Sequence, residues 1–369
     1  NSICEPITSK KPRSIWKSLM MSVYSAATNM TISKIRLKST KKAGSNLWWW
    51  TQIFPGKYGV NIRRLSGLVF LILFILCSPL EAAEESPVNL AADIQAGKYL
   101  FQASGGCGCH TDTKSNGAFL AGGRPIKTPF GTFYGTNITP DPETGIGNWS
   151  DEDFIRAMTQ GLSPEGNHYF PVFPYTSFQR ISREDLLALK TYLFSIPPVH
   201  QKNLTHDLIL PFGRQAALMF WKNFVWSPQP FKSNPELTES WNRGAYLTQA
   251  LAHCGECHTP RNLLGTLKSD MHFAGSKEGP EGELASNITP DKKSGIGSWS
   301  KVDISYFLQT GMKPDGDDVQ GLMGEVIEFG YQYLLDEDLD ALAEYLLSLP
   351  PISNELQANK SEKLKEEDY

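Results

Sequence analysis

The sequence predicts an all-α protein built as two tandem copies of one small, loop-rich domain. Three observations predict it: a long-period internal repeat, leucines at helical spacing where each copy ends, and no run of alternating strand-like residues.

The repeat begins with "GKYLFQASGGC", ending at Cys107, which aligns with "GAYLTQALAHC", ending at Cys254, at an offset of 147. Cys109 then pairs with Cys257 and His110 with His258, at an offset of 148. From Asn137, "NITPDPETGIGNWSDEDFIRAMTQG" matches "NITPDKKSGIGSWSKVDISYFLQTG" from Asn287, at an offset of 150. Each copy closes with related text, "REDLLALKTYLFSIPPV" from Arg183 and "DEDLDALAEYLLSLPPI" from Asp336. The body therefore divides into a first domain over 84–199, a linker over 200–235, a second domain over 236–352 and a charged tail over 353–369.

A helix leads into each cysteine cluster through Leu100 and Phe101 in copy one and Tyr246 and Leu247 in copy two. Ser150 with Asp153, and Ser300 with Asp303, are capping-box patterns that start the middle helices, and Ser182 with Asp185 opens the closing helix of copy one. The closing helices carry Leu186, Leu189 and Leu193, and Leu339, Leu342 and Leu346, on one face. The paired "NITPD" stretches read as turns stabilised by Asn and Asp. In the linker, the aromatic stripe "QAALMFWKNFVW" from Gln215 to Trp226 reads as interdomain core.

Charge is unevenly distributed. Residues 1–64 hold twelve Lys/Arg against one acid, Glu5, so they carry +11, whereas the rest, with 23 basic and 38 acidic residues, carries −15. An acidic body argues against nucleic acid and suits a basic partner face. Arg63 and Arg64 precede the apolar run from Leu65 to Cys77, and small residues follow it. That order reads as a signal peptide over 65–83, too short for a spanning helix, with an uncleaved anchor as the other reading. The basic leader over 1–64 is assigned no function.

Of six cysteines, Cys4 lies in the leader and Cys77 in the signal; the other four all stand in clusters that end in histidine. "CGECH", from Cys254 to His258, is a c-type haem attachment motif: thiols three apart reach two vinyl groups, and the next residue is an imidazole for the iron. A zinc half-site needs two more ligands at knuckle spacing, which the sequence does not offer. In copy one the motif is one residue short. Residues two apart lie roughly 200° apart around an α-helix, so Cys107 and Cys109 share a face only if the turn unwinds, which Gly105, Gly106 and Gly108 make sterically cheap. Either both thiols attach a haem, or Cys109 alone does so beside His110.

Taken together, "AYLTQALAHCGECHTPRNLLG", "NITPD", "GIGSWS", "GLMGEV" and "ALAEYLLSLPP" resemble the di- and trihaem cytochrome c subunits of bacterial periplasmic dehydrogenases for alcohols and sugar acids, over roughly residues 90–352. The resemblance implies class-I-like cytochrome c domains with one covalent haem c each. It also implies His258 and Met323 on the second iron, a ligation that suits electron transfer. Trp149 and Trp299 fall where the family has an aromatic near the haem edge, and core packing is the other reading. Copy one departs from the family at Phe173, which stands opposite Met323 and cannot ligate iron. His168, water or an outside residue such as Met219 remain as candidates for the sixth position of the iron held by His110.

The expected function is a periplasmic dihaem relay that takes electrons from a dehydrogenase and passes them to a downstream acceptor. It transforms no substrate, binds no nucleic acid, and meets the membrane only through its signal or its partner. The alternatives are a haem enzyme or small-ligand binder acting on peroxide or an inorganic anion at an open first haem, and a zinc-binding interaction module.

Overall fold

The computed structural model describes residues 90–209 and 214–356, which belong to one compact unit. The leader, the segment read as a signal, and residues 357–369 lie outside the described residues. In the first half, α1 (Leu90–Ala103) is followed by β1 (Pro125–Thr128), β2 (Gly131–Tyr134), α2 (Asp151–Gln160), the short α3 (Tyr175–Phe178) and α4 (Arg183–Ser195). After β3 (Asp207–Leu208) and α5 (Gln215–Phe224), the second half runs α6 (Glu239–Tyr246), α7 (Gly255–His258), α8 (Lys301–Thr310), α9 (Gly321–Phe329) and α10 (Asp336–Ser348).

In each half the first and last helices cross, α1 on α4 and α6 on α10. The crossing is close because a glycine stands at it. A Cβ on Gly97 would lie 1.9 Å from Ala188 O, and one on Gly244 would lie 1.9 Å from Ala341 O. Leu186, Leu189 and Leu193 of α4, like Leu339, Leu342 and Leu346 of α10, are buried in one core that runs through both halves. Ser150 with Asp153 and Ser300 with Asp303 form complete capping boxes, each serine accepting the backbone N–H three residues on while the aspartate accepts from the cap N–H. Ser182 caps α4 by accepting from Asp185 N–H.

The fold is not all-α. A three-stranded antiparallel sheet in the order β1-β2-β3 makes it mixed, with Thr128 paired to Gly131 and Thr132 to Asp207. Four-residue strands are too short to display a period of two, and β3 contributes only two residues from the linker. The reading of the aromatic stripe as interdomain core is also overturned: Met219, Phe220 and Phe224 are 49%, 60% and 75% exposed, and only Leu218 of α5 is buried. Here the helix turns Leu218 inward and stacks Phe220 on Phe224, 4.7 Å between ring centres, on its outer face.

The halves meet through a reciprocal exchange. Tyr99 of α1 donates to Asp338 at the start of α10 (2.6 Å) and accepts from Leu335 N–H (3.3 Å). Tyr246 of α6 donates to Asp185 at the start of α4 (2.6 Å) and accepts from Ser182 N–H (3.0 Å). Such matched pairs are what two copies of one surface make when they pack face to face. Arg243 adds a bidentate pair to Asp338 at 2.8 and 2.7 Å.

The "NITPD" stretches fold as the expected turns. Asn137 accepts from Thr139 N–H and donates to Val199 O, while Asn287 accepts from Thr289 N–H and donates to Ile352 O. Asp141 accepts from Thr144, and Asp291 from Ser294, through both hydroxyl and backbone N–H. These bonds hold both carboxyls below the usual carboxylate range, led by the Thr144 hydroxyl for Asp141 and the Ser294 N–H for Asp291. Because the folded pKa lies below the unfolded one, the contribution is present above about pH 4 and disappears as pH falls through the folded values. The expected result is a thermal midpoint that drops on acidification below about pH 4 and drops less in the Asp141→Asn, Asp291→Asn double variant.

Candidate haem attachment sites

The shortened motif is accommodated by a tighter turn. His258 N–H donates to Cys254 O (2.9 Å) in an α turn, whereas His110 N–H donates to Cys107 O (3.1 Å) in the 3₁₀ turn Gly108–His110. Both motifs thus close from histidine to first cysteine, with one residue fewer in the first. The turn is reached through Gly105 and Gly106 at φ of +91° and +71°. A Cβ on Gly106 would lie 2.2 Å from Phe329 O at the end of α9. At about three residues per turn, thiols two apart stand roughly 120° from each other. Accordingly Cys107 points inward, 1% exposed, while Cys109 is exposed with a free thiol.

Both histidines have one ring nitrogen fixed. His110 Nδ1 lies 2.8 Å from Thr136 O, and His258 Nδ1 lies 2.6 Å from Ser286 O. A carbonyl only accepts, so Nδ1 carries the proton and Nε2 keeps its lone pair for a metal. Burial pushes both imidazoles toward the neutral form that ligation requires. Thr136 and Ser286 stand immediately before Asn137 and Asn287, so the "NIT" turns aim the carbonyls that orient the histidines. Sequence reasoning found the turns but not this role, whose signal was their recurrence downstream of both histidines.

Burial, more than any neighbouring charge, pushes Cys254 and Cys257 up to about 12, the reverse of the lowered pKa that marks an attacking thiolate. Cys109 contributes to the rise at Cys257, so the two attachment motifs lie within electrostatic reach of each other. Cys109 is itself raised by desolvation although solvent touches it, as expected of a side chain open on one side and surrounded by protein on the others. Among the described residues no three His, Cys, Asp or Glu side chains are grouped to hold a metal ion.

Each half also grips the other's motif. Glu256, inside the second motif, accepts from Thr176 (2.7 Å) and Ser177 (2.6 Å) of α3 and pairs with Arg261 (2.5 Å). Conversely, α9 bears on the first motif: buried Arg124 donates to Gly108 O (3.1 Å) and pairs with Glu281 (3.1 Å) and with Glu325 of α9. No local pattern announces the contacts between the halves, which join residues 79 to 201 positions apart.

Met323 sits in the first turns of α9, half-buried against the common core. Phe173, just ahead of α3, also packs on that core, with Tyr169, Tyr175 and Phe178 around it at ring-centre distances of 5.8, 6.4 and 5.8 Å. His168 lies against the linker helix, its N–H donating to Gln215 Oε1 (2.6 Å) and its carbonyl accepting from Gln215 Nε2 (3.1 Å). Trp149 and Trp299 are partly buried against the core, and Trp299 meets Phe307 edge-on at 5.3 Å.

No family model matches the chain. It is similar to a protein of Cereibacter sphaeroides named "Diheme cytochrome c-type", 38% identical over 75% of this chain and 93% of that one. It is also similar to the fructose dehydrogenase cytochrome subunit of Gluconobacter japonicus, 38% identical over 78% of this chain and 60% of the subunit. A third relative is the gluconate 2-dehydrogenase cytochrome c subunit of Pantoea cypripedii, 37% identical over 69% of this chain and 59% of the subunit. The chain thus spans nearly all of the diheme protein but about six-tenths of the dehydrogenase subunits. With the matched motifs and the two fixed histidines, this places the chain in the family of diheme c-type cytochromes and the cytochrome c subunits of dehydrogenases, proteins that relay electrons.

Proposed function

We propose that the chain is a periplasmic dihaem relay of two tandem haem domains, which accepts electrons from a partner dehydrogenase, hands them to a downstream acceptor and transforms no substrate itself. The observation that carries this reading is the pair of histidines, each held by Nδ1 on a backbone carbonyl with Nε2 free to ligate. When bound, each haem supplies a one-electron iron couple. The residues do the rest. Cys254 and Cys257 attach the second haem and His258 ligates it, with Met323 as its sixth ligand. At the first site His110 ligates and Cys109 attaches; Cys107 joins it only if the loop unwinds further. The contacts of Glu256 with α3 and of Arg124 with α9 fix the two attachment loops relative to each other, which keeps the distance for electron transfer constant. Among the described residues no helix is long and apolar enough to cross a membrane. Export through the segment 65–83, and membrane contact only through that segment or the partner, are part of the proposal.

A spectroelectrochemical titration of the exported protein tests this reading. The expected result is two reversible one-electron haem transitions, of which Cys254→Ser, Cys257→Ser removes one. A protein that shows no reversible haem transition defeats the relay.

A further inference from the structure

The outer side of α5 lies open although the helix itself is held fast. Gln215 bonds both polar groups of the His168 backbone, at 2.6 and 3.1 Å. Lys222 Nζ donates to Gln160 O and Gly161 O at the end of α2, both at 2.6 Å, and Trp221 Nε1 donates to Leu264 O at 2.7 Å. The polar side of the helix is thus taken up by the protein, and Met219, Phe220 and Phe224 face outward.

Leu264 belongs to a turn built on the second attachment motif. Arg261 pairs with Glu256 inside the motif and donates to Gly265 O (2.8 Å), while Asn262 accepts from Leu264 N–H (2.9 Å) and donates to Thr266 (2.6 Å). On this bonded turn Leu263 is fully exposed and Leu264 is 61% exposed. The first half has no such feature. There Gly117 N–H closes on Asp112 O, five residues back, where the second half closes Lys268 on Pro260, eight residues back. The shorter turn holds Thr113, Lys114, Ser115 and Asn116, none of them a large apolar residue. Single exposed leucines are ordinary, but these are tied to the aromatic helix through Trp221 and occur on one copy alone, which points to a contact that only this copy makes.

The same two segments are basic. From Leu208 to Pro235 the chain carries Arg214, Lys222 and Lys232 and no acid, and from Thr259 to Ser269 it carries Arg261 and Lys268 and no acid, on an otherwise acidic body. Lys222 and Arg261 are bonded within the protein, whereas Arg214, Lys232 and Lys268 are exposed. On the relay reading above, we infer that this face docks a redox partner protein whose own face is apolar at its centre and acidic at its rim, and that electrons pass between that partner and the haem of the second motif. An apolar centre with a charged rim is the anatomy of a protein interface. The turn links the exposed leucines to Glu256 through Arg261, so a partner seated here lies beside the second attachment site. A lipid surface fits less well, because a helix lying on lipid turns its basic side chains to the headgroups, and Lys222 is turned to Gln160 and Gly161.

Voltammetry of the holoprotein on gold coated with mixed methyl- and carboxylate-ended thiols is the probe, since that film copies an apolar, acidic face. The expected result is rapid electron exchange that salt slows. Exchange is expected to be about tenfold slower in a Phe220→Ser, Phe224→Ser, Leu263→Ser, Leu264→Asn variant whose haem spectra match the parent's. Leu263→Ser, Leu264→Asn alone slows it in the same direction, and Val302→Ser, Tyr306→Ser, at two exposed apolar residues of α8, leaves it unchanged. Equal exchange in parent and both leucine variants overturns the inference, as does faster exchange on an amine-ended film. It is also overturned if the parent, but not the variant, binds vesicles of phosphatidylcholine and phosphatidylglycerol, or sediments as a dimer. A protein with no haem wave on any film or in solution defeats the relay reading instead.

Discussion

Gly244→Val is expected to destabilise the protein by at least about 3 kcal/mol. The first atom of any side chain here would stand 1.9 Å from Ala341 O, 2.6 Å from Ala341 C and 2.9 Å from Tyr345 Cβ. Two of those atoms are backbone of α10, so relief requires the crossing helices to separate. Separation takes Leu339, Leu342 and Leu346 partly out of the core and pulls Tyr246, two residues beyond the glycine, away from Asp185. Gly97→Val meets the same obstacle at Ala188 O and is expected to behave alike. Chemical denaturation measures the effect. An unchanged midpoint in either variant contradicts the close crossing.

Arg124→Leu is expected to cost about 3 kcal/mol and to loosen the first attachment loop, because it leaves two carboxylates facing each other without a counter-charge. The guanidinium side chain is 8% exposed, and Glu281 and Glu325 are 20% and 26% exposed, so water replaces little of what the arginine supplies. The carbonyl of Gly108 also loses its donor. Adding Glu281→Gln and Glu325→Gln to the arginine variant is expected to restore most of the loss, since a partly buried charge without a partner is costlier than no charge. Failure of the triple variant to recover places the effect in packing. Glu325 lies two residues from Met323 in α9, so the single variant also frees the helix expected to hold the second sixth ligand.

What the sequence made legible follows from what short spacings encode. The attachment motifs, the capping boxes at Ser150 and Ser300, the "NITPD" turns and the leucine faces of α4 and α10 each depend on residues within a few positions of one another. The sheet did not show because its strands are too short for a pattern, and β3 comes from the linker. The outward face of α5 was misjudged for a different reason. Composition reports that Phe220 and Phe224 are apolar, but not which way a helix is turned. The bonds of Glu256, Arg124 and Tyr99 join distant parts of the chain, and no local pattern announces them. The constriction of the first motif was legible as a missing residue. Its solution, a 3₁₀ turn that buries Cys107 and exposes Cys109, was not.

The most direct test of the account is the intact mass of the exported protein after extraction with acidified organic solvent, which removes any porphyrin not bonded to sulfur. The account predicts a mass carrying two haems, falling to one when Cys254 and Cys257 are replaced by serine and to one when Cys109 is. A chain that keeps only one haem would remove the first site from the relay, and a chain stripped of both would contradict the account.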